Sequence, residues 1–136
     1  MKHNVILTIM SLLSILLGTI HLADDIARGM SPGGLPNLFA VAVWVVWLYA
    51  TLMLVGRRSG YVIILIASLL LMIIPVLHLR GPGVGFGTHR SGGIFFVWTL
   101  LALGVTALFS VILSVRGLWS LRRGRSLGPI QSERNT

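Results

Sequence analysis

Residues that could carry chemistry are concentrated in a few short segments of this 136-residue chain. One of them is His21-Leu-Ala-Asp-Asp, in which Asp24 and Asp25 follow the histidine at offsets of three and four. On one continuous helix these side chains share a face. A neutral imidazole offers a nitrogen lone pair, and an aspartate can bind a metal ion or orient the ring. The set therefore suits a divalent metal such as zinc, copper, nickel or non-haem iron.

Two further histidines could complete the same cluster. His78 follows Pro75 by three positions near the end of an apolar segment, and a proline should bend that helix just before the histidine. His89 lies in the glycine-rich segment that comes next. His21 and His78 could then bind a metal together or serve as the two axial ligands of a b-type haem held between helices.

A third interpretation of the same residues needs no ligand. Asp24 and Asp25 would form ion pairs with nearby arginines, and the histidines would hydrogen-bond loop carbonyls and close the end of the bundle. This is the default expectation, with no cofactor bound. The arginines available for such structural ion pairs are Arg28, Arg80 and Arg90.

The composition indicates that these residues belong to a membrane protein. Hydrophobic residues make up 55% of the chain and charged residues only 10%, and the mean hydropathy is +0.92. A chain this short could not bury so much apolar surface in a water-soluble core, which excludes a soluble enzyme. The sequence contains no cysteine, which excludes thiol and iron–sulfur chemistry.

Four apolar stretches free of Lys, Arg, Asp and Glu are long enough to span a membrane as helices. We expect an all-α protein, an antiparallel bundle of four transmembrane helices, with residues 1–115 forming the membrane domain and residues 116–136 a basic tail. The predicted helices cover approximately residues 5–23, 38–55, 61–79 and 94–115.

Basic residues predict the orientation of the bundle. Eight of the eleven Lys and Arg residues belong to the N-terminus, to the short turn around Arg57 and Arg58, or to the tail, and only Arg28, Arg80 and Arg90 fall in the other two loops. The positive-inside rule then places both termini in the cytoplasm and the His/Asp cluster at the outer face.

The tail is expected to bind lipid. Its leucines and Trp119 alternate with arginines, a pattern typical of a segment that lies on anionic lipids of the inner leaflet. Nucleic acid is not needed to explain the charge. The lipid-binding residues predicted here are Arg116, Arg122, Arg123 and Arg125.

Small and polar residues recur at helical spacing in two of the predicted helices. In the first helix they form a stripe that should face the bundle interior, consisting of Ser11, Ser14, Gly18, His21 and Asp25. A similar face in the fourth helix could contact another helix of the same chain, a second copy in a homodimer, or a partner in a membrane complex. Trp44 and Trp47 are expected to be packing residues, and Tyr61 and Trp119 to belong to an inner aromatic belt.

The chain resembles a group of small bacterial four-helix membrane proteins that has no assigned activity. The resemblance rests on His-Leu-Ala-Asp-Asp-Ile-Ala-Arg-Gly from His21, Arg-Arg-Ser-Gly-Tyr from Arg57, Pro75-Val-Leu-His78, and Phe96-Val-Trp-Thr ahead of the basic tail. The resemblance implies a location in a bacterial cytoplasmic (inner) membrane, and it implies no reaction. We therefore expect a structural or accessory membrane component and no enzyme. The alternatives are a metal- or haem-binding protein and a small transporter, which is disfavoured because the apolar segments carry no acidic residue.

Overall fold

Helices are the only regular secondary structure in the described part of the chain. A computed structural model describes residues 2–29, 31, 34–80 and 93–126, with the backbone alone at residues 36, 77–80, 93–94 and 124–126. The four helices are α1 (Lys2–Ala27), α2 (Leu35–Met53), α3 (Arg58–Arg80) and α4 (Gly93–Ser126). The predicted all-α class with four helices is confirmed.

Three of these helices are long and apolar enough to cross a membrane. They are the helical segments Lys2–Ala27, Arg58–Val76 and Phe95–Arg123. The segment Asn37–Met53 of α2 is apolar but shorter. The chain is therefore a helical membrane protein, in agreement with its composition.

The helices extend beyond the apolar runs from which they were predicted. α1 continues through Asp24 and Asp25 to Ala27, and α4 continues for 34 residues to Ser126 instead of ending near Val115. An apolar run indicates which residues lie in the hydrocarbon core of the membrane. The helix itself can continue further, because backbone hydrogen bonds also form through Arg, Leu and Ser residues. The basic tail thus begins as a direct extension of α4.

Packing in the bundle brings α1 against α2 and α4, and α3 against the same two helices. The most extensive contacts are those between α3 and α4 and between α1 and α4. A core of apolar side chains forms between the helices, centred on Leu7, Trp47, Ile64, Leu71 and Leu103.

Large apolar side chains are exposed on the outer surface of the bundle, and polar groups lie in its interior. Large side chains such as Phe39, Trp98 and Phe109 are exposed, whereas hydroxyl groups of Ser14 and Ser110 are fully buried. A water-soluble protein avoids this distribution because extended apolar patches associate in water. Lipid removes that penalty, and buried polar groups then help to hold the helices together.

Contacts between helices define two ends of the bundle. At the first, the starts of α1 and α3 meet, since the Tyr61 hydroxyl donates to Asn4 Oδ1 at 2.6 Å. We call this the Tyr61 end. At the other, the ring centroids of His21 on α1 and Phe96 on α4 are 5.3 Å apart. We call this the His21 end.

The turn between α2 and α3 belongs to the Tyr61 end. It occupies Leu54–Arg57, and the Arg57 amide donates to the Leu54 carbonyl at 3.0 Å. Gly56 adopts a φ of +87°, and a Cβ added there would lie 3.0 Å from Asn4 Nδ2. Glycine is therefore required both by the left-handed backbone and by the close approach of α1.

Candidate functional site

The polar stripe of α1 is buried along its whole length. Its members are Ser11, Ser14, Gly18, His21 and Asp25, and each lies on the side of α1 that packs against the other helices. The predicted interior position of this stripe is confirmed. It follows from the spacing of three and four residues, which keeps these side chains on one face of a continuous helix.

His21 and Asp25 form the most polar part of that stripe. His21 is 2% exposed and Asp25 8% exposed, and His21 Nε2 lies 3.6 Å from Asp25 Oδ2. The two residues are one helical turn apart, so α1 alone fixes their separation. The 3.6 Å distance permits an electrostatic contact but is too long for a direct hydrogen bond.

Phe96 provides the apolar side of this site. Its ring lies at 37° to the imidazole of His21, in a tilted arrangement that joins the end of α1 to the beginning of α4. Phe96 itself is buried. Contact with an aromatic ring limits the rotation of the imidazole and keeps it inside the bundle.

Asp24 is directed away from that pair toward Arg28. Arg28 Nε donates a hydrogen bond to Asp24 Oδ2 at 2.7 Å, again across one helical turn. This hydrogen bond raises the pKa of Arg28 above its usual range, and the nearby charge of Asp24 acts in the same direction. The two aspartates of the motif thus have different partners. Asp24 binds Arg28, and Asp25 lies beside His21.

The described side chains do not assemble a metal site. No group of three or more histidine and carboxylate residues that could hold a metal ion occurs among them. His21 and Asp25 offer two donors, whereas protein zinc sites use three or four protein ligands. The predicted additional ligand His89 lies outside the described residues, as does Arg90, and only the backbone of His78 and Arg80 is described.

A hydrogen-bonded network that the sequence did not predict lies on the same stripe. Trp47 Nε1 donates to Ser11 Oγ at 2.6 Å, and Thr51 Oγ1 donates to the Trp47 carbonyl at 2.9 Å. Since the Thr51 proton is engaged there, Ser11 donates to Thr51 Oγ1, at 2.6 Å. The network is buried and joins α1 to α2 through three side chains.

Gly18 brings another part of the stripe close to two helices. A Cβ added at this position would lie 3.3 Å from Leu71 Cδ1 and 3.4 Å from the indole of Trp44. The missing side chain leaves the space that Trp44 uses to pack on α1. Trp44 is thus a packing residue as expected, whereas Trp47 both packs and donates a hydrogen bond.

Tyr61 does not belong to a lipid-facing aromatic belt. It is 4% exposed, its hydroxyl binds Asn4, and its ring lies directly against Gly117 of α4. An aromatic residue at the start of a helix is typical of a membrane interface, and the sequence prediction rested on that pattern. The prediction was wrong because the packing of α4 decides which way the ring of Tyr61 faces. Trp119 is exposed, and the Arg123 guanidinium lies 4.0 Å from its ring centroid.

The basic residues predicted to bind lipid extend from the Tyr61 end along α4. Arg116, Arg122 and Arg123 are exposed on this helix, and of Arg125 only the backbone is described.

Signals for the missed contacts were present in part. Trp47 and Thr51 are four residues apart, which places them on one face of α2. Their partner on α1 depends on how the two helices are aligned, and a single-helix pattern does not contain that information.

In comparisons with protein families, with curated proteins and with solved structures, this chain matches none.

Proposed function

We propose that this protein is a four-span integral membrane protein of the bacterial cytoplasmic membrane that acts as a structural or accessory component. In the proposed arrangement neighbouring helices are antiparallel, both chain termini are cytoplasmic and the His21 end faces outward. Contacts between the first half of one helix and the second half of its neighbour support this arrangement. Trp47 of α2 reaches Ser11 of α1, and Pro75 of α3 approaches Gly104 of α4.

The length of α2 supports a fourth crossing. At about 1.5 Å per residue, its 19 residues extend over roughly 28 Å, close to the thickness of a hydrocarbon core. The four-residue turn that follows α2 then returns the chain into the membrane as α3. A short turn that contains Arg57 and is followed by Arg58 is typical of a cytoplasmic loop.

One observation carries the structural role, namely the burial of the polar stripe of α1 against other helices. Ser11 is fully buried and bonded to α2, and His21 is buried against Phe96 of α4. In a membrane, interhelical hydrogen bonds and close contacts at small residues are the usual means of holding helices together. The stripe is therefore used to assemble the bundle.

Metal or haem binding and transport are the alternatives to this role. Metal binding is favoured by the buried imidazole and carboxylate, but the described part of the chain contributes only those two donors. Transport coupled to protons generally needs an ionisable group within the bilayer. Asp24 and Asp25 lie in the last turn of α1 and not at its centre.

Absorption spectra and elemental analysis of the purified protein test the proposed role. We expect no haem absorption band and no metal in stoichiometric amount, and a lower unfolding temperature for His21→Ala. A metal or haem present in the parent and lost in His21→Ala would contradict the structural role and establish the binding alternative.

A further inference from the structure

We propose that a cleft between α3 and α4 at the Tyr61 end binds the headgroup phosphate of an anionic phospholipid. The cleft has a volume of about 140 Å³. It is lined by Arg58 and Val62 of α3 and by Leu118, Leu121 and Arg122 of α4. The proposal rests on the membrane location proposed above, but it is independent of any role of His21.

Helix periodicity and one close contact build the cleft. Arg58 and Val62 are one turn apart on α3, as are Leu118 and Arg122 on α4, so each pair forms one wall. Gly117 lies directly before Leu118 and leaves room for the ring of Tyr61, which brings the two helices together beside the cleft. The Tyr61 hydroxyl is held by Asn4, which fixes this contact.

The charge of the cleft favours an anion. Arg58 and Arg122 contribute a guanidinium from each wall, and a guanidinium can bind phosphate through two parallel hydrogen bonds. α3 also begins at Arg58, and the positive end of its helix dipole adds to the attraction for an anion. No acidic residue in the first turn of α3 offsets this charge.

The apolar walls favour a phospholipid over free phosphate. Val62, Leu118 and Leu121 line the cleft together with the two arginines. Val62 and Ile66, one turn further along α3, are both exposed on the outer surface of the bundle. An acyl chain can follow this surface while its phosphate stays at the arginines, a combination that inorganic phosphate cannot use.

A neighbouring arginine provides a matched control. Arg57 precedes Arg58 and does not line the cleft. Substituting Arg57 removes the same charge from the same end of the bundle, and any difference from Arg58 and Arg122 reports on the cleft itself.

Native mass spectrometry of the full-length protein in detergent, titrated with phosphatidylglycerol or phosphatidylcholine, tests the proposal. We expect preferential binding of phosphatidylglycerol, weakened about fivefold by Arg58→Gln and by Arg122→Gln but less than twofold by Arg57→Gln. Equal weakening by all three variants, or no preference between the two lipids, would overturn the proposed site.

A variant that leaves every charge in place tests the shape of the cleft. Val62→Trp should fill it and weaken phosphatidylglycerol binding, whereas Val105→Trp, at an exposed position of α4, should not. The circular dichroism of both variants should match that of the parent. Inorganic phosphate at the same molar concentration should not displace the lipid. Displacement by phosphate would show that the site takes a free anion and would overturn the proposal. Lipid binding by Val62→Trp equal to that of the parent would show that lipid does not use the cleft.

Discussion

At the scale of single residues, the chain places its polar groups where they can join helices. His21 lies within 3.6 Å of Asp25 on its own helix and against Phe96 of α4, so its position depends on both helices. Removing one member of such a pair leaves the other buried without its neighbour, whereas replacing both by apolar residues of similar size is far less costly. The pair should therefore behave as one unit in mutagenesis.

A double-mutant cycle on His21 and Asp25 measures this dependence. We expect His21→Leu and Asp25→Leu each to lower the free energy of unfolding, and the double variant to lose less than the sum of the two losses. The expected coupling is about 0.5–1 kcal/mol. Unfolding in denaturing detergent, followed by circular dichroism, measures it. Strictly additive losses would show that the two side chains do not stabilise one another.

The indole of Trp47 provides a second test at this scale. Trp47→Phe removes the donor to Ser11 and should lower the free energy of unfolding by about 1 kcal/mol. Trp44→Phe is the matched control, since it makes the same chemical change one turn earlier on α2. Ser11→Ala should add a further loss to that of Trp47→Phe, because Ser11 also donates to Thr51. Equal losses for the two tryptophans would contradict a specific role of this hydrogen bond.

At the scale of helices, the close approach of α3 and α4 depends on where glycine occurs in α4. At Gly117 an added Cβ would collide with the ring of Tyr61, whose hydroxyl is bonded to Asn4. At Gly104 it would lie 3.5 Å from Pro75 Cγ, an ordinary packing distance. The two glycines therefore differ in what they contribute to packing, although both lie within the same continuous helix.

Alanine substitutions distinguish these two glycines. Gly117→Ala should lower the free energy of unfolding by about 1–3 kcal/mol because Tyr61 must move away from Asn4. Gly104→Ala should be neutral or stabilising by up to about 1 kcal/mol, since alanine favours the helix. Thermal unfolding in the same detergent compares them. A larger loss at Gly104 would contradict the packing of α4 against α3.

The sequence was sufficient to predict the existence of the helices and the interior face of α1. Both follow from apolar length and from residue spacing within one helix, as in Ser11, Gly18 and Asp25. It was insufficient for contacts that depend on how two helices are aligned. The Trp47–Ser11 bond and the inward position of Tyr61 are of this kind, because the partner of each lies far away in the chain.

At the scale of the whole molecule, charge and polarity are distributed unevenly between the two ends. The described part of the Tyr61 end has arginines at 57, 58, 116, 122 and 123. The His21 end carries both described aspartates, one of which is paired with Arg28. This asymmetry is the physical basis of the proposed orientation, since basic loops remain on the cytoplasmic side during insertion.

Reporter fusions made after Arg58 and at the C-terminus test the proposed four-span arrangement most directly. A pair of reporters, one active only in the cytoplasm and the other only in the periplasm, gives a readout for each position. We expect both positions to be cytoplasmic, and a fusion within the segment 81–92 to be periplasmic. A periplasmic readout after Arg58 or at the C-terminus would contradict the four-span arrangement, and with it the outward position of His21 and Asp25.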